Sequence, residues 1–311
     1  MRVALLAGGT GGAKLADGFA RVLAPGELSV IVNVADDTEL HGLRVSPDID
    51  SVLYTLAGLL DRTTGWGVAG DTRTALGMLE RLGAERTWFQ IGDADLATHV
   101  RRTQLIRDGA SLTDATAAMA AALGITARIL PASDDRLRTM LQTDAGELDF
   151  QDYFVGHRQE PEVRGVRFDG LDAARPTPAA LAALAEADLV VIGPSNPVVS
   201  IGPILALSGM REAVAASGAM AVSPIVAGRA LKGPADRMLA SLGEEVTAVG
   251  VARRYAGIVR AFVLDAADAA LASEVAALGL EPRVLPTVMR SDADRDALAT
   301  ALIQGGGILN R

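Results

Sequence analysis

The chain has 311 residues, half of them apolar, enough to bury a full core and predicting one large domain or a core that carries a smaller lobe. Its 29 basic and 38 acidic residues give a formal net charge of -9 without a basic block, which argues against nucleic acid as a partner and for a small ligand. Cysteine is absent and only three histidines occur, which sets aside disulfides, thiolate metal sites, cysteine nucleophiles and a multi-histidine zinc centre; the 4% aromatic content reads as background.

In chain order, "RVALLAG" at 2–8 predicts a first strand, and residues 13–23 follow with helical spacing. "LSVIVNV" at 28–34 predicts a second strand. Residues 62–125 interrupt the alternation with "TRTALGMLERLGA" and "SLTDATAAMAAALG", both helical by period, the second opened by Ser111 or Thr113 as N-cap. Strand-like pieces return at 127–170, including "ARILPAS" and "LDFQDYFVG", and a helical run at 171–188 leads into "ADLVVIGP". A helix is predicted over 202–217, and strands at "AMAVSPIVAG", "VTAVGVA" and "AFVLDA". Apolar strands alternating with helices define an α/β fold, a parallel sheet covered by helices on both faces. Residues 1–61 and 126–311 are expected to form this core and 62–125 a mainly helical insertion. The longest apolar stretches fall far short of a bilayer span and the N-terminus reads as a strand, so a soluble cytoplasmic protein with no membrane partner is expected.

Four stretches carry chemistry. "LLAGGTGGAK" puts Gly8, Gly9, Thr10, Gly11, Gly12 and Lys14 at a strand-to-helix turn. It fits neither the dinucleotide fingerprint nor the Walker pattern, yet backbone N–H groups there suit phosphate, with Lys14 as a counter-charge. In "NVADDTELHGLRVSPDIDSVLYTLAG", Ser46, Pro47 and Asp48 read as the start of a helix, with Asp48 complementing its dipole. Asp36 at a strand end and Asp50 in that first turn are the candidate oxygen ligands for magnesium. "IGDADLATHVRRTQLIRDGASLTD" holds Asp93, Asp95, His99, Arg101, Arg102 and Arg107; the arginines read as a solvated face that also suits an anionic substrate, and His99 as structural. "IGPSNPVVSIGPIL" places Ser195, Asn196, Pro197 and Ser200 after a buried strand, where α/β sheets bind ligands, and Arg229 and Lys232 repeat the arrangement one strand later.

Taken in order with "LPASDDR", these blocks resemble the 2-phospho-L-lactate transferase family, also called CofD or FbiA, over nearly the whole chain. The resemblance implies a Rossmann-like three-layer core and transfer of a phosphorylated three-carbon acid (2-phospho-L-lactate, phosphoenolpyruvate or phosphoglycerate) from a guanosine diphosphate carrier. The acceptor it implies is the deazaflavin alcohol Fo, giving the coenzyme F-420 precursor and GMP. It further implies magnesium as cofactor and a homodimer. By position, Asp36 and Asp50 match the acidic pair associated with metal and Fo, and Gly8 to Lys14 and Ser195 to Pro197 match loops near the nucleotide; Asp93 and His99 fall in a matched block that implies substrate contact. Gln90 stands where the family often has a basic residue linked to Fo. Two other readings compete: a YvcK-like regulator that binds nucleotide sugars on the same fold, and a nicotinamide oxidoreductase with Asp36 on a ribose hydroxyl, which the broken glycine fingerprint disfavours.

Overall fold

The computed structural model describes residues 1–309. Its strands are apolar at consecutive rather than alternate positions, as burial on both faces requires. β1 (Val3–Ala7) is buried throughout and leads into α1 (Gly9–Val22); β2 (Leu28–Val32) follows, then a hairpin of β3 (Thr38–Leu40) and β4 (Leu43–Val45), and α2 (Pro47–Leu56). Three helices come next, α3 (Thr74–Arg81), α4 (Asp93–Arg107) and α5 (Leu112–Ala122), before β5 (Arg128–Pro131). The strands β6 (Arg138–Thr143), β7 (Gly146–Asp149) and β8 (Val163–Asp169) make a small antiparallel sheet in the order β7-β6-β8. The second half runs α6 (Pro178–Glu186), β9 (Leu189–Ile192), α7 (Ile201–Ala206), α8 (Met210–Ala216), β10 (Met220–Val222) and the short pair β11 (Ile225–Val226) and β12 (Arg229–Ala230). It ends with α9 (Ala235–Ser241), α10 (Ala248–Tyr255), β13 (Ala261–Asp265), α11 (Ala272–Ala277), β14 (Glu281–Leu285) and α12 (Asp292–Leu309).

The central sheet has seven parallel strands in the order β14-β13-β10-β9-β1-β2-β5, flanked by helices in a Rossmann-like three-layer architecture. From β1 the chain builds outward first through β2 and β5, then on the other side through β9, β10, β13 and β14. The order therefore reverses between β1 and β9, where Leu6 lies opposite Ile192. Loops that leave the carboxyl ends of two such strands diverge and open a crevice. Here those loops are the glycine turn after β1 and Gly193–Pro197 after β9. Among the described residues no helix is long and apolar enough to cross a membrane.

Three expected elements differ. "VTAVGVA" forms the start of α10, not a strand: Thr247 caps it by accepting the Gly250 N–H at 3.1 Å, and Ala248, Val249, Val251, Ala252 and Tyr255 bury one helical face. A short apolar run is ambiguous in period, and the cap decides it. In "LDFQDYFVG" only Leu148 and Asp149 are strand; Phe150 and Gln151 are already helical and lead into a single wide helical turn over Asp152–Gly156. The helix over 202–217 is broken into α7 and α8, because Gly209 adopts a left-handed φ of 83° between them. Ser111, and not Thr113, caps α5, accepting the Asp114 N–H at 3.0 Å.

Candidate active site

The glycine turn is shaped first by packing. Gly9 has φ +62°, and a Cβ on Gly11 would overlap the carbonyl oxygen of Pro194, so the turn can lie against the β9 loop only without side chains. The Gly8 N–H donates to Ser195 Oγ at 3.1 Å and the Gly9 N–H to Asp48 Oδ1 at 2.7 Å. Gly8, the N-cap of α1, makes no side-chain cap and the first turn carries no acidic residue. The next N–H groups of α1 are left with the positive end of the helix dipole and no internal partner, a position made for an anion. Lys14 stands beside it, its amine held 3.3 Å from the Met289 carbonyl; burial first, then Arg295 and Lys232, lowers its pKa.

An acidic group faces this turn. Asn33, at the end of β2, donates through Nδ2 to Asp36 Oδ2 at 3.1 Å and to Asp48 Oδ2 at 2.9 Å, joining the strand end to the first turn of α2. Burial, then the charge of Asp48, pushes the Asp36 carboxyl well above its usual range, and its Oδ1 is buried without a partner. Burial likewise raises Asp48 to about 6, against the bonds from Asn33 and Gly9. Asp37, pushed up to about 7 by burial, accepts the Ser46 hydroxyl at 2.7 Å. Ser46 thus occupies the N-cap position of α2 but spends its side chain on Asp37.

Asp50 belongs to a second cluster. The guanidinium of Arg102, fully buried, grips both of its oxygens, with Nη1 at 3.2 Å from Oδ2 and Nη2 on Oδ1. His99 lies between two carboxylates, Nδ1 at 3.6 Å from Asp50 and Nε2 at 3.4 Å from Asp95, and Asp95 also accepts the Tyr54 hydroxyl at 2.6 Å. Ligand-type atoms of Asp50, Asp95 and His99 lie within 4.8 Å of one another, a spacing that could hold a metal. The positive charge in this cluster is already supplied by Arg102, and Tyr54 takes one oxygen of Asp95, so we read it as a buried ion-pair network.

One cleft of about 840 Å³ joins both clusters to the glycine turn. Of the residues singled out in sequence, Gly8 to Gly11, Lys14, Asp36, Asp48, Asp50, Gln90, Asp95, His99, Ser195, Asn196, Ser200 and Lys232 line it; Gly12, Asp93, Arg101, Arg102, Arg107, Pro197 and Arg229 do not. Gly12 packs on Ala7, where a Cβ would come within 2.7 Å. Asp93 caps α3 from outside, accepting the N–H groups of Thr74 at 3.0 Å and Ala75 at 2.9 Å. Gln90 is exposed and donates to the Thr87 carbonyl at 3.3 Å.

Two features were not foreseen. Arg102 is no part of a solvated face; with Asp95 and His99 it occupies positions i, i+4 and i+7 of α4, a spacing that marks one helical face and could have grouped the three. Tyr54, Trp66, Phe89, Phe150 and Phe154 line the cleft, so the scarce aromatics are concentrated there rather than being background.

A switch-point crevice where a glycine turn, lysines and buried carboxylates meet is where a Rossmann-like protein binds its ligand. The family model described as "2-phospho-L-lactate transferase CofD" matches residues 3–284, and the chain belongs to that family of transferases, associated with coenzyme F-420 biosynthesis. It is 41% identical over 300 residues to the 2-phospho-L-lactate transferase of Methanosarcina mazei, covering 96% of this chain and 99% of the relative. It is also 41% identical over 304 residues to the phosphoenolpyruvate transferase of Streptomyces griseus, covering 96% and 95%. A crystal structure of a Bacillus halodurans protein shares the fold, with a TM-score of 0.61 at 20% identity over 97% of this chain and 99% of that one.

Proposed function

We propose that the protein transfers a phosphorylated three-carbon acid from its guanosine diphosphate carrier to the terminal hydroxyl of the deazaflavin Fo, releasing GMP. The observation that carries this reading is the single cleft, in which a phosphate-suited turn, buried carboxylates and an aromatic lining meet. A nucleotide diphosphate and a flat heteroaromatic alcohol are the two substrates such a lining serves. Relatives named for phospholactate and for phosphoenolpyruvate are equally similar, so the donor acid is a matter for assay.

In this scheme the α1 N-terminus, Lys14 and Lys232 hold the diphosphate, and the aromatic side chains hold Fo so that its hydroxyl faces the phosphorus bearing the acid. The P–O bond to GMP breaks as the new one forms, and the hydroxyl proton passes to Asp48, whose carboxyl burial raises to about 6. The unpartnered buried oxygen of Asp36 fits a magnesium ion, which Asp36 would hold; Asp50, expected beside it from sequence, has both oxygens committed to Arg102. When bound, the ion supplies charge neutralisation at the diphosphate. The same reading takes the protein as a cytoplasmic homodimer, which light scattering on the purified protein checks.

The test is mass spectrometry of purified protein with Fo, magnesium and each guanosine diphosphate-linked acid in turn, beside a control lacking magnesium. Metal-dependent product carrying one phosphorylated acid is expected. Folded protein that binds nucleotide yet forms no product with any donor would favour a sensing role and overturn the reading.

A further inference from the structure

Among the described residues four cations line the cleft, and two of them, both lysines, make side-chain hydrogen bonds. Lys14 rests on the Met289 carbonyl and Lys232 donates to the Thr64 carbonyl at 2.6 Å; the Arg290 guanidinium makes neither a hydrogen bond nor an ion pair among the described residues, but its charge is partly balanced by nearby Asp294, whose carboxyl it helps hold below the usual range after the Ser291 hydrogen bonds. The fourth, Arg158, is exposed and has neither a hydrogen bond nor an ion pair among the described residues.

Its backbone is unusual. Arg158 and Gln159 both adopt left-handed conformations, with φ 51° and 62°. Side chains disfavour this region, where glycine would sit without strain. Two consecutive non-glycine residues held there at the rim of a binding cleft point to a requirement for the side chains themselves. The surroundings fix them: the His157 N–H donates to the Asp152 carbonyl at 2.7 Å and the Gln159 N–H to the Tyr153 carbonyl at 2.9 Å. The Gln159 side chain accepts from Arg237 of α9, the helix whose Met238 sulfur meets Asn196 Nδ2 at 3.4 Å. At the other end of the segment, Gln151 Nε2 donates to the Asp36 carbonyl at 3.0 Å, and Phe150 stacks on Phe154 with centroids 5.4 Å apart. The segment 150–159 therefore runs between the acidic group and the elements around Asn196.

Resting on the function proposed above, we propose that Arg158 binds the carboxylate of the three-carbon acid and so distinguishes the acid-bearing donor from the bare nucleotide. The diphosphate has the α1 N-terminus and two lysines, which act as point charges. The remaining anionic group of the donor is a planar carboxylate, which a guanidinium matches with two parallel N–H bonds.

The test compares wild type, Arg158→Asn and Arg158→Lys. Asparagine tolerates the left-handed backbone, so the fold is kept. Steady-state kinetics measure KM for the guanosine diphosphate-linked acid, and calorimetry measures Kd for GDP, which lacks the acid. Arg158→Asn should raise the donor KM about 10- to 100-fold, the loss of a charged hydrogen bond, with GDP affinity within twofold of wild type. Lysine should recover only part of the loss. An unchanged donor KM, or equal weakening of donor and GDP, overturns the assignment. Wild type that turns over none of the linked acids instead overturns the proposed function, and the role of Arg158 with it.

Discussion

Replacing Arg102 by Met tests whether the cluster beneath the cleft is held by charge. Arg102 is 0% exposed and Asp50 is 5% exposed, so its loss leaves a buried carboxylate whose nearest remaining ion-pair contact is the His99 ring, 3.6 Å away. Breaking a buried pair from one side costs about 3–5 kcal/mol, because the surviving charge is neither solvated nor paired. Methionine fills most of the aliphatic volume, so little of this is a cavity effect. Urea unfolding followed by circular dichroism should show the midpoint fall while the slope is kept. The double variant Arg102→Met with Asp50→Asn should regain part of the loss, since it removes the orphaned charge. A single variant destabilised by less than about 1 kcal/mol, or a double variant that is additively worse, would refute the reasoning.

Asp37 carries a pH signature. Its folded pKa of about 7 lies above the unfolded value of about 3.9, so the folded protein keeps a proton the unfolded chain has lost, and stability falls as pH rises from about 4 to 7. Asp37→Asn should flatten the urea-midpoint profile between pH 5 and 7 by about one proton, roughly 1.4 kcal/mol per pH unit; an unchanged profile would count against the burial of its charge. Gly11→Ala forces a methyl group onto the Pro194 carbonyl and should cost about 1–3 kcal/mol, measured by the same unfolding; a loss under about 0.5 kcal/mol would mean that the contact is looser than described. Magnesium added to ligand-free protein near pH 6 should release protons from Asp36 and Asp48, seen as a dependence of the calorimetric heat on buffer ionisation enthalpy; no such dependence would remove these two carboxylates from the ion's surroundings.

The architecture was legible because it rests on local signals. Consecutive apolar residues such as Val3–Ala7 announce a doubly covered strand, and Ser46-Pro47 announces the first residues of α2. The glycine turn was also visible, though its glycines answer to two causes that sequence cannot separate: Gly9 to a positive φ and Gly11 to the neighbouring carbonyl. What escaped was polar burial. Periodicity reasoning looks for an apolar face, and α4 turns a face bearing Asp95, His99 and Arg102 inward. Their partners, Asp50 and Tyr54, come from α2, far away in sequence, so nothing local marks the pairing. Asp50→Asn, an obvious probe of chemistry from sequence alone, would also strand Arg102. Asp36→Asn is the cleaner variant, because Asp36 has no cationic partner among the described hydrogen bonds and ion pairs.

The proposed anionic donor has to enter a cleft that is itself lined with acids. Asp36, Asp48 and Asp50 lie within or against it, and only Asp50 is offset by a buried guanidinium. A diphosphate placed at the α1 N-terminus would face the other two carboxylates across a cleft from which water is largely displaced, where like charges repel strongly. Burial, and after it repulsion from the neighbouring carboxylates, already raises the pKa values of Asp36 and Asp48 with no ligand bound. Protonation relieves it at low pH, and a divalent cation relieves it near neutrality while leaving the carboxylates ionised. On the proposed function, cation and diphosphate are therefore favoured to bind together rather than singly, and the acidic group would act as a filter for the metal-bound form of the donor.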